Sequence, residues 1–332
     1  MKIWKGMNSE LLEHLKSFLV EKGGEALKKA RDIVLDERLE CEEIQKALRY
    51  FMVEYWNDCT TPSLLFLACE AVGGDSERLL DFASAMILVN GAIDIHDDII
   101  DRSKRKDGRP TVYGKFGVET ALLVGNALLM KGYTMLAEDL YRKFGRGKAA
   151  KVLDVLKKGF FELGEAEALE LKFKGRFDVK PREYLKVMHK KAANVDALMR
   201  AGALLGGATN EEIGLLGKYG RIVGLLSILR DDVVDMMLPE EMKHRIKYES
   251  LPLPIIYGLN TQKTRQTLLK LLQEKLVKAT LDKICEVTEK AGGIRKTRMY
   301  MGKQAMDGKR VSSKFPEIQD KLNLILDCLT KE

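Results

Sequence analysis

Proline is scarce in this chain, seven in 332 residues, histidine scarcer at four, and none of the five cysteines stands in a Cys-x-x-Cys pair. The few prolines, with 28 glycines and an apolar share of 45%, exclude collagen-like, linker-rich and disordered architectures, because enough apolar surface exists to offset chain entropy. Cys41, Cys59, Cys69, Cys285 and Cys328 are odd in number and scattered. That pattern argues for buried thiols in a reduced compartment, so the expected location is the cytoplasm. Four histidines make a zinc centre a poor expectation. Alternating apolar and polar runs closed by Asn-Gly or Asp-Gly are missing, which removes the usual strand signals. No charge-free apolar run reaches about 18 residues, so no membrane span is expected. Glu10, Glu13, His14 and Lys16 break the opening segment where a signal peptide needs an apolar core. Neither sign of charge dominates: 56 Lys+Arg against 49 Asp+Glu leaves +7, which selects no partner class alone.

What is present is helical periodicity, almost everywhere. Residues 8–34 and 42–56 read as amphipathic helices, an apolar helix runs from Pro62 to Val72 and stops at Gly73-Gly74, and Asp75 caps a run from Ser76 to Asp101. Further helices are expected over 120–141, 148–171, 181–206, 214–235, 264–290 and 293–306, giving roughly ten or more. Leu79–Ile95 is apolar around nearly its whole circumference, as a helix enclosed by others must be, and 214–235 is a second such helix. No Pro-rich or Ser-rich linker separates them, so the expectation is one all-α domain spanning 1–332.

Both enclosed helices end in the same acidic pattern. Asp97, Asp98 and Asp101 close the first, and Asp231, Asp232 and Asp235 close the second, 231 − 97 = 134 residues later. Helix C-termini carry partial negative charge and like charges at i and i+4 repel, so cations must compensate. Hard oxygen ligands at this spacing suit Mg²⁺, which takes a few carboxylates together with water and phosphate oxygens. A single such pattern is ordinarily a solvated helix end. Two, each beside basic residues (Arg102, Lys104, Arg105, Lys106 and Arg109; Arg230, Lys243, Arg245 and Lys247), point instead to layered carboxylate, metal and phosphate.

With both motifs in place, the sequence resembles the trans-isoprenyl diphosphate synthases, the polyprenyl synthetase family, from about Pro62 to Leu259. The segment GRPTVYGKFG from Gly108 is similar to the family's stretch after the first motif. The resemblance implies an all-α isoprenoid-synthase-type helical bundle around a central hydrophobic cavity, with the six aspartates at its mouth. It implies three Mg²⁺ ions, with Asp97, Asp101, Asp231 and Asp235 as ligands, holding the diphosphate of an allylic prenyl substrate. Lys106 and Lys191 fall where the family has basic residues on that diphosphate, and Arg230 and Lys247 are added from the second motif's surroundings. Gly91, Ala92 and Asp94 are expected in the chain pocket, the small residues leaving room for about fifteen to twenty carbons. A homodimer is expected, or a heteromer with another synthase, and no nucleic-acid partner.

The sequence departs from the family pattern at several positions. Where the family reads Gly-Gly-Lys-Arg-x-Arg-Pro, this chain has Trp56, Asn57, Asp58, Cys59 and Thr61 in the equivalent positions, and Asp107 replaces the second of two arginines after the first motif. Ser227-Ile228 replaces Phe-Gln, and Ser250 replaces a lysine. In the family, the basic groups replaced at Asp58, Cys59, Thr61 and Asp107 hold isopentenyl diphosphate. The leading expectation is therefore an enzyme that ionises an allylic diphosphate and lets the cation be captured internally, by water or by another acceptor. The alternatives are chain elongation with a rewired second site, through Lys104, Arg105 or Lys115, and a non-catalytic subunit of a heteromeric synthase. Asp94 is odd in an apolar stretch and must pair, bind water or face the cavity. His96 reads as a core histidine. The basic run Arg295–Lys314, with one acid, has no assigned role.

Overall fold

A computed structural model describes residues 9–106 and 108–331. Among them the chain is helical apart from one short ladder. In order come α1 (Ser9–Leu35), α2 (Glu42–Arg49), a π-helical turn (Tyr50–Tyr55), α3 (Thr60–Glu70), α4 (Leu80–Ile100), β1 (Arg105–Lys106), β2 (Arg109–Pro110), α5 (Val112–Phe116) and α6 (Val118–Leu171). Then follow α7 (Pro181–Lys191), α8 (Ala193–Gly206), α9 (Asn210–Asp235), α10 (Pro239–Tyr248), α11 (Leu253–Leu259), α12 (Gln262–Gln273), α13 (Lys278–Lys290), α14 (Gly293–Ser312) and α15 (Gln319–Thr330).

Departures from the expected boundaries have local causes. α6 is broken at Gly145, whose φ of +72° places it in the left-handed region, which matches the two helices read from the sequence. The single helix expected over 181–206 is two, parted at Ala192, and 264–290 is parted into α12 and α13. Asp75 Oδ1 accepts from the Glu77 amide at 3.1 Å, as a cap should, but the helix opens with one 3₁₀ turn. The ladder leaves no signal in the sequence, because two residues per strand carry no alternation; Arg105 pairs with Pro110 and Lys106 with Arg109, antiparallel.

The described residues gather into two compact units, one within 13–157 and 198–217, the other of 9–12, 158–197 and 218–331. Their boundaries fall inside α1, α6, α8 and α9, so no linker parts them. In the first unit α4 is the central element: Phe82, Ile87, Leu88 and Ile95 are fully buried. The stretch Glu77–Ile100 is long and apolar enough to cross a membrane by composition, but 67% of its apolar window is buried in the protein, which marks a core helix. In the second unit α14 packs on α15, α11 and α13, and Tyr219 sends its buried hydroxyl to the Leu322 carbonyl at 2.7 Å.

Close approach in the first unit runs through glycine. A Cβ on Gly202 would lie 2.5 Å from the Leu65 carbonyl oxygen, and one on Gly206 2.8 Å from that of Cys69, so α8 lies backbone to backbone on α3. Gly202→Ala is therefore expected to cost roughly 1–3 kcal/mol by overpacking. Gly214, mid-helix with open space around it, should gain up to about 1 kcal/mol as Ala. Urea unfolding midpoints of the two variants, moving in opposite directions, check this.

Candidate active site

The first acidic cluster sits where α4 ends. Asp101 caps the helix and Arg102 takes a φ of +57°, left-handed and uncommon for a residue with a side chain. The Ser103 amide then reaches back to the Asp98 carbonyl at 2.8 Å, reversing the chain so that the β1–β2 hairpin returns along α4. Thr111 secures the return: its hydroxyl donates to the Ser103 carbonyl at 2.8 Å and accepts from the Gly114 amide at 2.9 Å. Gly114 fits only without a side chain, because a Cβ there would stand 1.9 Å from the Lys104 carbonyl oxygen. Tyr50 donates to the Pro110 carbonyl at 2.6 Å and Arg109 to that of Glu54 at 2.8 Å, fastening the hairpin to the π-helical turn.

This arrangement brings Lys106 onto α4. Its ammonium lies 2.7 Å from Asp98 Oδ1 and 3.1 Å from Asp94 Oδ1. Asp98 is buried at 1% exposure. Burial is the largest influence on it and pushes its carboxyl up to about 8, against the pull of Lys106. Burial alone would lower the Lys106 ammonium; Asp94, Asp98 and Asp97 together raise it well above the ordinary lysine range. Asp94 is therefore an ion-pair partner and not a wall of an apolar chain pocket.

The second cluster, at the end of α9, repeats the scheme with arginine. Asp232 is wholly buried; it takes Arg245 Nη2 at 2.9 Å, the Tyr184 hydroxyl at 2.8 Å and the Leu253 amide at 3.0 Å. Burial, the largest influence, pushes its carboxyl up to about 6. Arg245 also reaches Asp235 Oδ2 at 3.7 Å and Glu249 at 3.1 Å. Lys191 pairs with Glu170 at 2.7 Å and Glu167 at 3.0 Å, and the Ser250 hydroxyl donates to Glu170 at 2.6 Å. Burial opposes ionisation of Glu170, but Lys191 and Arg245 overcome it and hold the carboxyl down at about 2.

Among the other residues singled out from the sequence, Arg230 and Gly91 take structural contacts. Arg230 turns to the carbonyls of Cys328 and Leu329 at 3.2 and 3.4 Å, where a cation suits the C-terminal turn of α15; it is a structural contact there. Lys247 is exposed on α10. Gly91 and Ala92 are buried, but Gly91 opens no space: a Cβ there would meet the Phe51 ring at 2.8 Å and Trp56 Nε1 at 3.4 Å. Phe51 and Trp56 stack with centroids 5.3 Å apart, so aromatic rings occupy the room that small residues were expected to leave. His96 hydrogen-bonds to Asn126 and the Leu122 backbone, and burial lowers its imidazole, as in a core histidine.

The departures around residue 58 are absorbed into local structure. Asp58 Oδ1 accepts from the amides of Thr60 and Thr61 at 3.0 and 2.9 Å, serving the start of α3, while burial pushes its carboxyl up. Cys59 is buried, and Thr61 accepts from Asn90 at 2.6 Å. Cations nearby come from other elements: Arg31 donates to the Met52 and Trp56 carbonyls at 2.7 and 3.1 Å, and Arg105 and Arg109 project from the hairpin.

Among the described residues no three metal-ligating side chains are gathered into a ready cage. The donor set nonetheless fits magnesium, which takes one or two carboxylates and completes its shell with water and phosphate oxygens. Asp97 Oδ1 is buried with no hydrogen-bond partner, a vacant hard donor beside a neutralised Asp98. The sequence did not single out Arg245 or Tyr184 for the site. Arg245 was legible only as one of several cations after the motif, and a lone tyrosine carries no signal. Because Arg245 is the buried counter-charge of Asp232, Arg245→Met should cost about 3–5 kcal/mol, and Arg245→Met with Asp232→Asn should recover part of it. Thermal or urea unfolding of the single and double variants measures this.

Residues 43–288 match the polyprenyl synthetase family as a whole. The chain is 36% identical over 224 residues to a geranylgeranyl diphosphate synthase of Methanosarcina mazei, covering 66% of this chain and 68% of that one. It is 32% identical over 260 residues to a short chain isoprenyl diphosphate synthase of Methanothermobacter thermautotrophicus, covering 74% and 78%. Its fold is that of a solved geranylgeranyl pyrophosphate synthetase from Pyrococcus horikoshii, with a TM-score of 0.82 over 96% of this chain and 99% of that one at 24% identity. The chain belongs to the polyprenyl synthetase family and is an all-α, class I isoprenoid-synthase-type transferase that uses prenyl diphosphates.

Proposed function

We propose that the protein is a magnesium-dependent, chain-elongating synthase of the geranylgeranyl type, which joins isopentenyl diphosphate to an allylic prenyl diphosphate. The observation that supports this most is a pair of acidic helix ends built alike, inside the stretch that matches the family. In each, the middle aspartate, Asp98 or Asp232, is buried and tied to a cation, Lys106 or Arg245. In this reading Asp97, Asp101, Asp231 and Asp235 hold about three Mg²⁺ ions, in number as the family resemblance implies. The ions supply positive charge to the departing diphosphate. Lys106 and Lys191, each half-buried and held by two carboxylates, orient the allylic diphosphate, and exposed Lys247 meets its outer oxygens. Arg31, Arg105 and Arg109, around the segment 50–58, take the second diphosphate in place of the basic groups replaced there. A homodimer belongs to the same reading, with Leu122, Leu123 and Met130 of α6, exposed at 47%, 58% and 68%, as the apolar face for a second copy. So does a cytoplasmic location.

A second reading has its own support. Asp58 and Thr61, at positions where the family resemblance implies basic groups, are hydrogen-bonded at the start of α3 and to Asn90, which supports a reading in which isopentenyl diphosphate is not held there. Capture of the allylic cation internally, by water or by another acceptor would then replace elongation. Incubation with Mg²⁺, labelled isopentenyl diphosphate and allylic diphosphates of about ten, fifteen and twenty carbons separates the two. Elongated diphosphates are expected; alcohols or hydrocarbons without incorporated label favour the second reading, and no turnover of any kind points to a non-catalytic subunit. Asp97→Ala and Asp231→Ala should each lower the rate on the order of a hundredfold or more, as loss of a preorganised electrostatic group does. Full activity in EDTA contradicts the proposal.

Chain length follows from the aromatic wall. Gly91 lies six residues before Asp97, about 9 Å along α4, and Phe51 and Trp56 stand against it. Trp56→Ala is expected to lengthen the longest product made from fifteen-carbon substrate by one isoprene unit or more. Chromatography of dephosphorylated products shows this, and an unchanged ladder means the prenyl chain does not pass Gly91.

A further inference from the structure

The basic run left without a role lies on α14, and its side chains are sorted by exposure. Gly293, Thr297, Met301, Ala305, Gly308, Val311 and Ser312 are buried against the neighbouring helices. Outward stand Arg295, Arg298, Met299, Lys303, Met306 and Arg310. At 3.6 residues per turn these six share an arc of about 140°, with the two methionines and, at the N-terminal end, Arg295 near its middle, Arg298 on one flank and Lys303 and Arg310 on the other. Met299 is 68% exposed and Met306 57%, seven residues apart and so on the same line of the helix. Cations on and near this face also have partners within the chain: Arg310 pairs with Asp307 at 2.7 Å, Lys309, on the Arg298 flank, pairs with Asp327 at 2.6 Å, and Arg298 is itself engaged. On α14 itself Asp307 is the one acidic residue between 295 and 314, against seven basic ones.

We propose that this face of α14 is a docking surface for an anionic lipid bilayer, the methionines entering the headgroup–acyl boundary and the flanking cations lying on the lipid phosphates. Charge complementarity selects the occupant. Long basic side chains at the rim of an apolar centre keep their charges at the interface while their stems cover apolar surface. A nucleic-acid surface fits less well, because the centre of the face carries thioethers and no aromatic ring on which a base could stack. The helix is 20 residues, about 30 Å of surface, long enough to lie along a membrane. The surface is separate from both acidic clusters in sequence and stands whether or not the elongation reading does.

The full-length protein is mixed with vesicles of phosphatidylcholine alone, or of phosphatidylcholine with about 30% phosphatidylserine, and sedimented. Binding is expected to the anionic vesicles only, falling as salt is raised from about 0.1 to 0.5 M. Arg298→Glu with Lys303→Glu should weaken it at least tenfold. Met299→Ser with Met306→Ser, which leaves the charge unchanged, should weaken it several-fold. Diphosphate release by the variants in vesicle-free solution and their melting temperatures should match the wild type, which shows that they are folded. Equal binding to neutral vesicles, undiminished binding by either double variant, or capture of a DNA or RNA duplex or a second copy of the chain by this face without vesicle binding would overturn the proposal.

Discussion

Everything at the two acidic helix ends depends on one electrostatic constraint: three carboxylates cannot share the C-terminal turn of a buried helix unless positive charge is brought to them. The helix dipole and mutual repulsion both oppose them. The protein meets this within each unit by burying a single cation on the middle aspartate, Lys106 on Asp98 and Arg245 on Asp232. The pairs are not equivalent. Arg245 reaches several oxygens with its planar fork and is held by Glu249 and the Ser250 carbonyl, whereas Lys106 is a point charge shared by Asp94 and Asp98. In the function proposed above, the outer aspartates are the ones that hold metal.

The backbone is shaped around delivering those cations. Arg102 in a left-handed conformation, the Thr111 bridge and the side-chain-free contact of Gly114 turn a two-residue ladder back onto α4, and the π-helical turn clamps it through Tyr50 and the Glu54 carbonyl. On the second side, α10 returns Arg245 to the helix it follows, and the start of α11 gives the Leu253 amide to the same carboxylate. Local strain and small residues at these points are the means by which charge is placed, as at many functional sites.

Helix content, the enclosed helices and both acidic motifs were legible in the sequence, because 3.6-residue periodicity and charge spacing are local properties. The break at Ala192 and the ladder at 105–110 were not, since each is set by packing or by too few residues to show a pattern. Lys106 was legible through its place after the first motif, and Asp94 only as an anomaly whose partner needed the hairpin's return. Gly91 misled: its small size signals close approach as readily as open space, and here the rings of Phe51 and Trp56 make that approach. Arg230 misled likewise, since proximity in sequence to Asp231 does not fix the direction of a long side chain, which runs to α15. Substitutions at Asp58, Cys59 and Thr61 read as loss of a site, whereas the structure gives Asp58 and Thr61 local hydrogen bonds and the chain is similar to a geranylgeranyl diphosphate synthase.

The central claim of the proposed function is that a diphosphate binds at the acidic motifs only together with metal, because Lys106 and Arg245 are each shared with carboxylates and do not by themselves offset the repulsion of the anion by the outer aspartates. Calorimetric titration of the purified protein with inorganic diphosphate, with Mg²⁺ and then with EDTA, measures this without reference to any acceptor or product. The account predicts saturable binding in Mg²⁺ that disappears in EDTA. Equal binding in both conditions, or none in either, would contradict it.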